Sequence, residues 1–240
     1  MKTIAFDTSN QPLSVALFDE EQLIAQRETN VPKNHSIQLL ALIDEIVTAA
    51  GWQPTDLDQV VVSQGPGSYT GLRIAVTTAK TLAFTLNLRL IGISSLALLA
   101  ANETTADALI IPIMDARNDN LYAGGYVRTD NGLKNVFVDG HTNITRLLAQ
   151  LETVTQPIIF VGEWARFAEQ FKAALPTARF SEDNLPHAVH AQMLAQAAPV
   201  ITDMAAIHQF VPNYYRLSQA EADWAKANPN VMNDNYVEKL

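Results

Sequence analysis

The segment Gly65-Pro66-Gly67-Ser68-Tyr69-Thr70-Gly71-Leu72-Arg73 gathers residue types that could do chemistry. Two glycines and a proline make a tight turn, and such a turn can leave backbone N–H groups facing a ligand. Thr70 is placed to cap a following helix, and helix N-termini attract anions. One reading is therefore an anion or phosphate cradle using Gly65, Gly67, Ser68, Thr70 and Arg73. The other is a strand-to-helix turn whose glycines serve backbone geometry, and the residues alone favour neither. The segment is not a Walker A loop, because no Gly-Lys-Ser/Thr closes it and Lys80 falls inside the helix.

Two aspartates form the next candidate pair. Asp7-Thr8-Ser9 and Asp115-Ala116-Arg117 each end an apolar run. Facing each other across a cleft, Asp7 and Asp115, with Ser9 beside the first, could hold a metal or activate a nucleophile for phosphoryl transfer. At strand ends they could equally satisfy turn N–H groups. The second loop continues Arg117-Asn118-Asp119-Asn120 without a glycine to admit a phosphate, which counts against a two-loop nucleotide clamp. His187 and His190 stand three apart after Pro186, but no further ligand accompanies them and His-Glu-x-x-His is missing. No metal site is expected, and a metallopeptidase is the weakest reading.

Composition narrows the partners. The 240 residues are 48% hydrophobic and 17% charged, with 16 basic against 25 acidic side chains and a net charge of −9. Such a chain is globular, and its bulk charge repels a phosphate backbone. Direct RNA binding is not expected. Cysteine is absent, which excludes disulfides and thiolate chemistry and fits a reducing compartment. Neither a signal peptide nor a membrane span is legible, so a cytoplasmic protein without membrane contact is expected.

The elements that would position these residues repeat. Strands are expected over Lys2 to Asp7, Leu13 to Phe18 and Gln22 to Arg27, then a helix from about His35 to Ala50 closed by Gly51. Val60-Val61-Val62 makes a buried strand, Gly71 to Leu86 a long helix, and Leu90 to Ile93 another strand. A second cycle opens with a strand from Leu109 to Met114 that again ends in aspartate. Strands at Leu121 to Arg128 and Leu133 to Val138 follow across the turn Asp130-Asn131-Gly132, then a helix from about Asn143 to Leu151 and a strand at Ile158 to Val161. Strand-Asp, strand, strand, helix thus occurs twice, which points to a duplicated α/β fold with mixed sheets. The halves are expected at 1–102 and 103–240.

Two helices of the first half are too apolar for one core contact. At 100° per residue, Leu39, Leu40, Leu42, Ile43, Ile46, Val47 and Ala50 cover about half the circumference of the first. The second puts Gly71, Leu72, Ala75, Val76, Ala79, Leu82, Ala83 and Leu86 on one face. Its other side carries Ile74, Thr77, Thr78, Thr81, Phe84 and Thr85, and its only charges, Arg73 and Lys80, share an edge. Uncharged surface of this kind marks a subunit interface. The expected contact set is Leu39, Leu42, Ile43, Ile46, Ile74, Thr77, Thr78, Thr81 and Thr85.

The glycine segment 65–73 resembles the signature of the TsaB (YeaZ) family. Phe6-Asp7-Thr8-Ser9, Asn34-His35-Ser36, Met114-Asp115-Ala116-Arg117 with Tyr122, and Pro212-Asn213-Tyr214-Tyr215-Arg216 followed by Ala220-Glu221 resemble it too, in the right order. The resemblance implies an actin/Hsp70/sugar-kinase-like (ribonuclease H-like) duplicated fold. It also implies a non-catalytic subunit beside TsaD, the transferase of tRNA threonylcarbamoyladenosine synthesis, with the ATPase TsaE as third component. TsaD-type subunits hold their metal with two histidines four residues apart, and Ser95 and Leu99 stand at those positions. Asn118 replaces the second arginine of the family's Asp-Ala-Arg-Arg loop. The first-half helices would form a homodimer in the chain alone and the heterodimer with TsaD. No cofactor of its own is implied; ATP or ADP would sit at the complex interface, and tRNA would be reached only through the complex. A small-molecule kinase or ATPase of the same fold is the alternative.

Overall fold

A computed structural model describes residues 1–30, 35–130 and 132–215. Asn34, Asn131, Arg216, Ala220 and Glu221, which figured above, lie outside the described residues. In the first half β1 (Lys2–Asp7), β2 (Leu13–Asp19) and β3 (Gln22–Thr29) are followed by α1 (His35–Ala49), β4 (Gln59–Gly65), α2 (Tyr69–Leu86) and β5 (Arg89–Ser94). The linking helix α3 (Ser95–Ala100) leads to β6 (Leu109–Asp115), β7 (Asn120–Thr129), β8 (Gly132–Asn143), α4 (Ile144–Leu151), β9 (Ile158–Gly162), α5 (Ala168–Ala174) and β10 (Arg179–Phe180). The chain then runs through α6 (Ala191–Ala195), β11 (Val200–Ile201) and α7 (Met204–Gln209).

The two halves repeat one plan. β1 pairs antiparallel with β2 and parallel with β4, and β2 pairs antiparallel with β3. In the second half β6 pairs antiparallel with β7 and parallel with β9, and β7 pairs antiparallel with β8. The sheet orders are β11-β5-β4-β1-β2-β3 and β10-β9-β6-β7-β8. Asp7 and Asp115 are the last residues of the equivalent strands β1 and β6, as the repeat required.

Strand alternation splits each sheet into two cores. Ile4, Phe6, Val60 and Val62 face α1 and α2, whereas Ala5, Ala16, Val61 and Ile91 face α6. In the second sheet Ile111, Ile113 and Phe160 face α4 and α5, and Ile110, Met114 and Val161 face α3. The result is a five-layer stack in which α3 and α6 fill the space between the sheets.

The expected boundary at 102/103 needs one correction. β11 pairs with β5, and Ile207 and Phe210 enter the core under α1 and α2. The described segment 188–215 therefore packs with the first half. One tie fixes its return: His187 Nδ1 meets Glu28 Oε1 at 2.6 Å while Nε2 meets Asp183 Oδ1 at 2.8 Å. The hydrogen bond to Glu28 is the largest influence raising the His187 pKa, to about 9, and Glu28 is held below its usual range by the same bond. His190 is pushed down, chiefly by burial. A raised histidine pKa gives stability that is complete below the unfolded value of 6.5 and lost as pH climbs through about 9. His187→Gln should accordingly cost roughly 1 kcal/mol near pH 6, allowing for screening by water, and nothing above pH ~10. Urea midpoints measured across that range check this.

Candidate functional site

The glycine loop is shaped by contact with β1. Ser68 donates its N–H to the Ser9 carbonyl at 2.7 Å, and Thr8 Oγ1 donates to the Gly71 carbonyl at 2.7 Å. A Cβ on Gly71 would collide with the Thr8 carbonyl, and one on Gly67, at φ +154°, with the Ser9 carbonyl. These glycines thus let the loop close onto the end of β1, which is the structural role weighed above. The cap of α2 is Ser68, whose Oγ accepts from Gly71 N–H at 3.2 Å, and the helix starts at Tyr69. Thr70 is therefore not the cap; it lies in the first turn.

Beyond this loop a cleft of about 810 Å³ opens between the halves. Ser9, Gly67, Ser68 and Thr70 line one side, with His35 nearby; Asp115, Arg117, Tyr122 and Glu163 line the other. Asp7 is absent from this lining. It is wholly buried, and burial pushes its pKa up to about 6 against the opposing influence of the neighbouring Ser63 and Ser9. Its Oδ1 accepts from Ser9 N–H at 3.2 Å, while its Oδ2 and the hydroxyls of Ser9 and Ser63 have no hydrogen-bond partner among the described residues. Gly65 is buried too, beneath the Asn213 carbonyl. Neither residue touches the cleft.

On the opposite wall Asp115 is neutralised. Arg166 reaches its two oxygens at 3.3 and 3.2 Å and binds Asp119 Oδ1 at 2.9 Å. Asp115 N–H donates to Glu163 Oε2 at 2.6 Å, and burial raises the Glu163 pKa. Arg117, Asn118 and Asp119 all take the left-handed conformation, at φ 65°, 52° and 60°. No local pattern points to Glu163 or Arg166 in this site, since both lie about fifty residues beyond Asp115 in the chain. Chemically, the cleft offers an anion the N-terminus of α2 and the Arg117 side chain. It does not bring Asp7 and Asp115 together on an open site, so the metal-holding pair considered above is not formed.

Arg73 lies outside this cleft. It stacks 4.9 Å over the Tyr69 ring, donates to Tyr69 Oη at 2.8 Å, and borders a shallow groove with Ser36, Ile74, Thr77 and Thr78. The expected contact set divides here. Leu39, Ile43 and Ile46 are buried in the chain's own core, where they meet β1, β2 and α2, so they present no surface to a second subunit. Leu42 and Ile74 are half-buried against that core. Thr77, Thr81 and Thr85 are exposed and Thr78 half-exposed. The apolar exposure falls instead on Ile37 at 76%, Leu40 at 56% and Phe84 at 56%. Ile37 had escaped notice because it lies off the apolar stripe of α1.

Ser95 and Leu99 on α3 are both fully buried, Leu99 among Leu96, Ile110 and Val161. Among the described residues no three His, Asp or Glu side chains are placed to share a metal ion.

Two mixed sheets of one plan, helices between and outside them, and a ligand-sized cleft between the halves define an α/β protein of the actin/Hsp70/sugar-kinase class. A TsaB from Bacillus subtilis (strain 168), a tRNA threonylcarbamoyladenosine biosynthesis protein, is 36% identical over 228 residues, covering 95% of this chain and 99% of the relative. An Escherichia coli (strain K12) TsaB is 33% identical over 135 residues, or 55% of this chain and 58% of its own. The structure of YeaZ from Pseudomonas aeruginosa superposes with a TM-score of 0.72 at 24% identity, covering 89% of this chain and 99% of that one. The family model of TsaD, tRNA N6-adenosine threonylcarbamoyltransferase, matches residues 23–229. The chain belongs to the TsaB (YeaZ) family.

Proposed function

We propose that the chain is a non-catalytic subunit in tRNA threonylcarbamoyladenosine biosynthesis, docking on a TsaD-type transferase through the exposed sides of α1 and α2. The observation that carries this reading is the apolar exposure there, with Leu40 on α1 and Phe84 on α2 each 56% exposed. Burial of such side chains contributes by the area removed from water, about 1.5–3 kcal/mol for each large residue. The same surface would hold the homodimer of the chain alone, so the two assemblies compete. Ser95 and Leu99 support the absence of a catalytic metal site, because neither side chain can replace an imidazole ligand. A TsaE-type ATPase completes the assembly, and tRNA is contacted through the complex.

The cleft motivates a second reading, a kinase or ATPase. Asp7 is sealed from the cleft and Asp115 is held by Arg166, which leaves no free carboxylate pair to position a metal or a nucleophile. Nucleotide at this cleft or at the subunit interface would therefore be bound without being turned over by this chain. Reconstitution separates the readings. The purified chain alone should show neither ATP hydrolysis nor transfer, and should permit threonylcarbamoylation of tRNA when TsaD- and TsaE-type proteins are added. ATP turnover by the chain alone that is lost in Asp7→Asn would establish the kinase or ATPase reading instead.

A further inference from the structure

A second cleft, of about 350 Å³, lies between the sheets and away from the glycine loop, and its floor is built around one carboxylate. Pairing of β7 with β8 slips so that Ala123 opposes Gly140 while Gly125 opposes Phe137, which leaves Val138 and Asp139 against the single residue Gly124. This is a β-bulge, a device that re-aims side chains beside functional sites. It throws Val138 out to 87% exposure and turns Asp139 inward. Gly124 makes the room, since a Cβ there would strike the Asp139 carboxylate.

The floor centres on the lone pairs of one carboxylate, with Asn135 and Tyr215 beside it. Tyr126 Oη donates to both Asp139 oxygens, at 2.7 and 2.8 Å. Ser94 Oγ also donates to Asp139, and its own lone pairs accept from the N–H groups of Leu96 at 3.1 Å and Ala97 at 3.2 Å. The hydroxyl hydrogens of Tyr126 and Ser94 are thus committed to the carboxylate, and Asn135 Nδ2 donates to the Phe137 carbonyl at 2.9 Å and to Asp139 Oδ1 at 3.4 Å. What remains for a ligand is the lone pairs of Asp139 and Tyr126 and a negative charge. Among the described residues no Lys, Arg or His forms an ion pair with Asp139, and burial raises its pKa. The walls are apolar, from Ile93, Leu133, Met193 and Leu194.

A carboxylate floor with no cationic partner among the described residues, beneath apolar walls, selects a cationic N–H donor on a short hydrocarbon chain. We propose that this cleft is a second ligand site that takes a small primary alkylammonium, anchored by Asp139. The site is independent of the docking surface on α1 and α2.

The test is a titration of the full chain, carrying 13C-labelled Leu and Met methyls, with n-pentylammonium. Pentan-1-ol and pentanoate serve as neutral and anionic isosteres. Saturable shifts at Met193, Leu194 and Leu133 are expected with pentylammonium, at least about tenfold weaker with pentan-1-ol, and none with pentanoate. Asp139→Asn should weaken pentylammonium at least about tenfold. Ala197→Leu, an exposed position at the rim, should weaken it comparably with the melting temperature unchanged, and it decides the matter if Asp139→Asn fails to fold. No saturable shift in the wild-type chain, equal binding of pentan-1-ol, or full affinity in Ala197→Leu would overturn the proposal.

Discussion

Gly71→Ala is expected to lower the melting temperature by about 10 °C, reversing the usual sign of that substitution. In an exposed helix alanine is better than glycine by about 1 kcal/mol. Here the added Cβ has no space, because the carbonyl of Thr8, wholly buried directly after β1, occupies it. Relief requires α2 to lift from the sheet, stretching the 2.7 Å bond from Thr8 Oγ1 to the Gly71 carbonyl and loosening Leu72 and Ala75 in the core. Overpacking of this kind against backbone costs about 3 kcal/mol. For a chain of this size each kcal/mol shifts the midpoint by roughly 2–4 °C. Thermal unfolding of the purified variant measures it. A rise in midpoint would mean that the loop is not closed on β1 and that its glycines serve a ligand instead.

Asp7→Asn should do the opposite and stabilise the protein at pH 8, by about 3 kcal/mol. The wild-type carboxyl titrates near 6 in the folded chain, against an ordinary value of 3.8, because burial penalises its charge. Between those values the folded state holds the proton and the unfolded state does not. Stability contributed by the protonated group is therefore lost as pH rises from about 4 to about 6, and above 6 the native state carries a buried carboxylate. Asparagine keeps the acceptor for Ser9 N–H and adds an N–H donor where Asp7 Oδ2 now lacks a partner. Denaturant midpoints for the two proteins should converge below pH 4 and diverge above pH 6. Equal midpoints at pH 8 would show that Asp7 is solvated or has a cationic partner.

Much of this was legible in particular residues. Asp7 and Asp115 closing equivalent strands announced the duplication, and the spacing of Ala75, Ala79 and Ala83 identified the sheet-facing side of α2. Three residues of the α1 stripe expected at a subunit contact, Leu39, Ile43 and Ile46, belong instead to the chain's own core. Periodicity gives the width of a buried face, not what covers it, and Leu39, Ile43 and Ile46 are covered by β1, β2 and α2 of the same chain. The return of the late segment to the first sheet was illegible because β11 has two residues and α6 and α7 five and six, too short for a period to show. The site was only partly foreseen. Ser9, Gly67, Ser68 and Thr70 reach the cleft, but the pairing of Arg166 with Asp115 spans 51 residues and depends on where β9 and the turn after it deliver the arginine.

Docking on a TsaD-type transferase through the exposed apolar side chains of α1 and α2 is best read by light scattering on a size-exclusion column. Leu40→Glu/Phe84→Glu is the informative variant, since both side chains are already exposed and the charges should leave the fold intact. Mixed with the partner, the wild-type chain is expected to elute as a one-to-one heterodimer, and the double variant as separate subunits with affinity reduced at least about a hundredfold. A wild-type chain that does not associate, or a double variant that associates as tightly as wild type, would rule out docking through this surface.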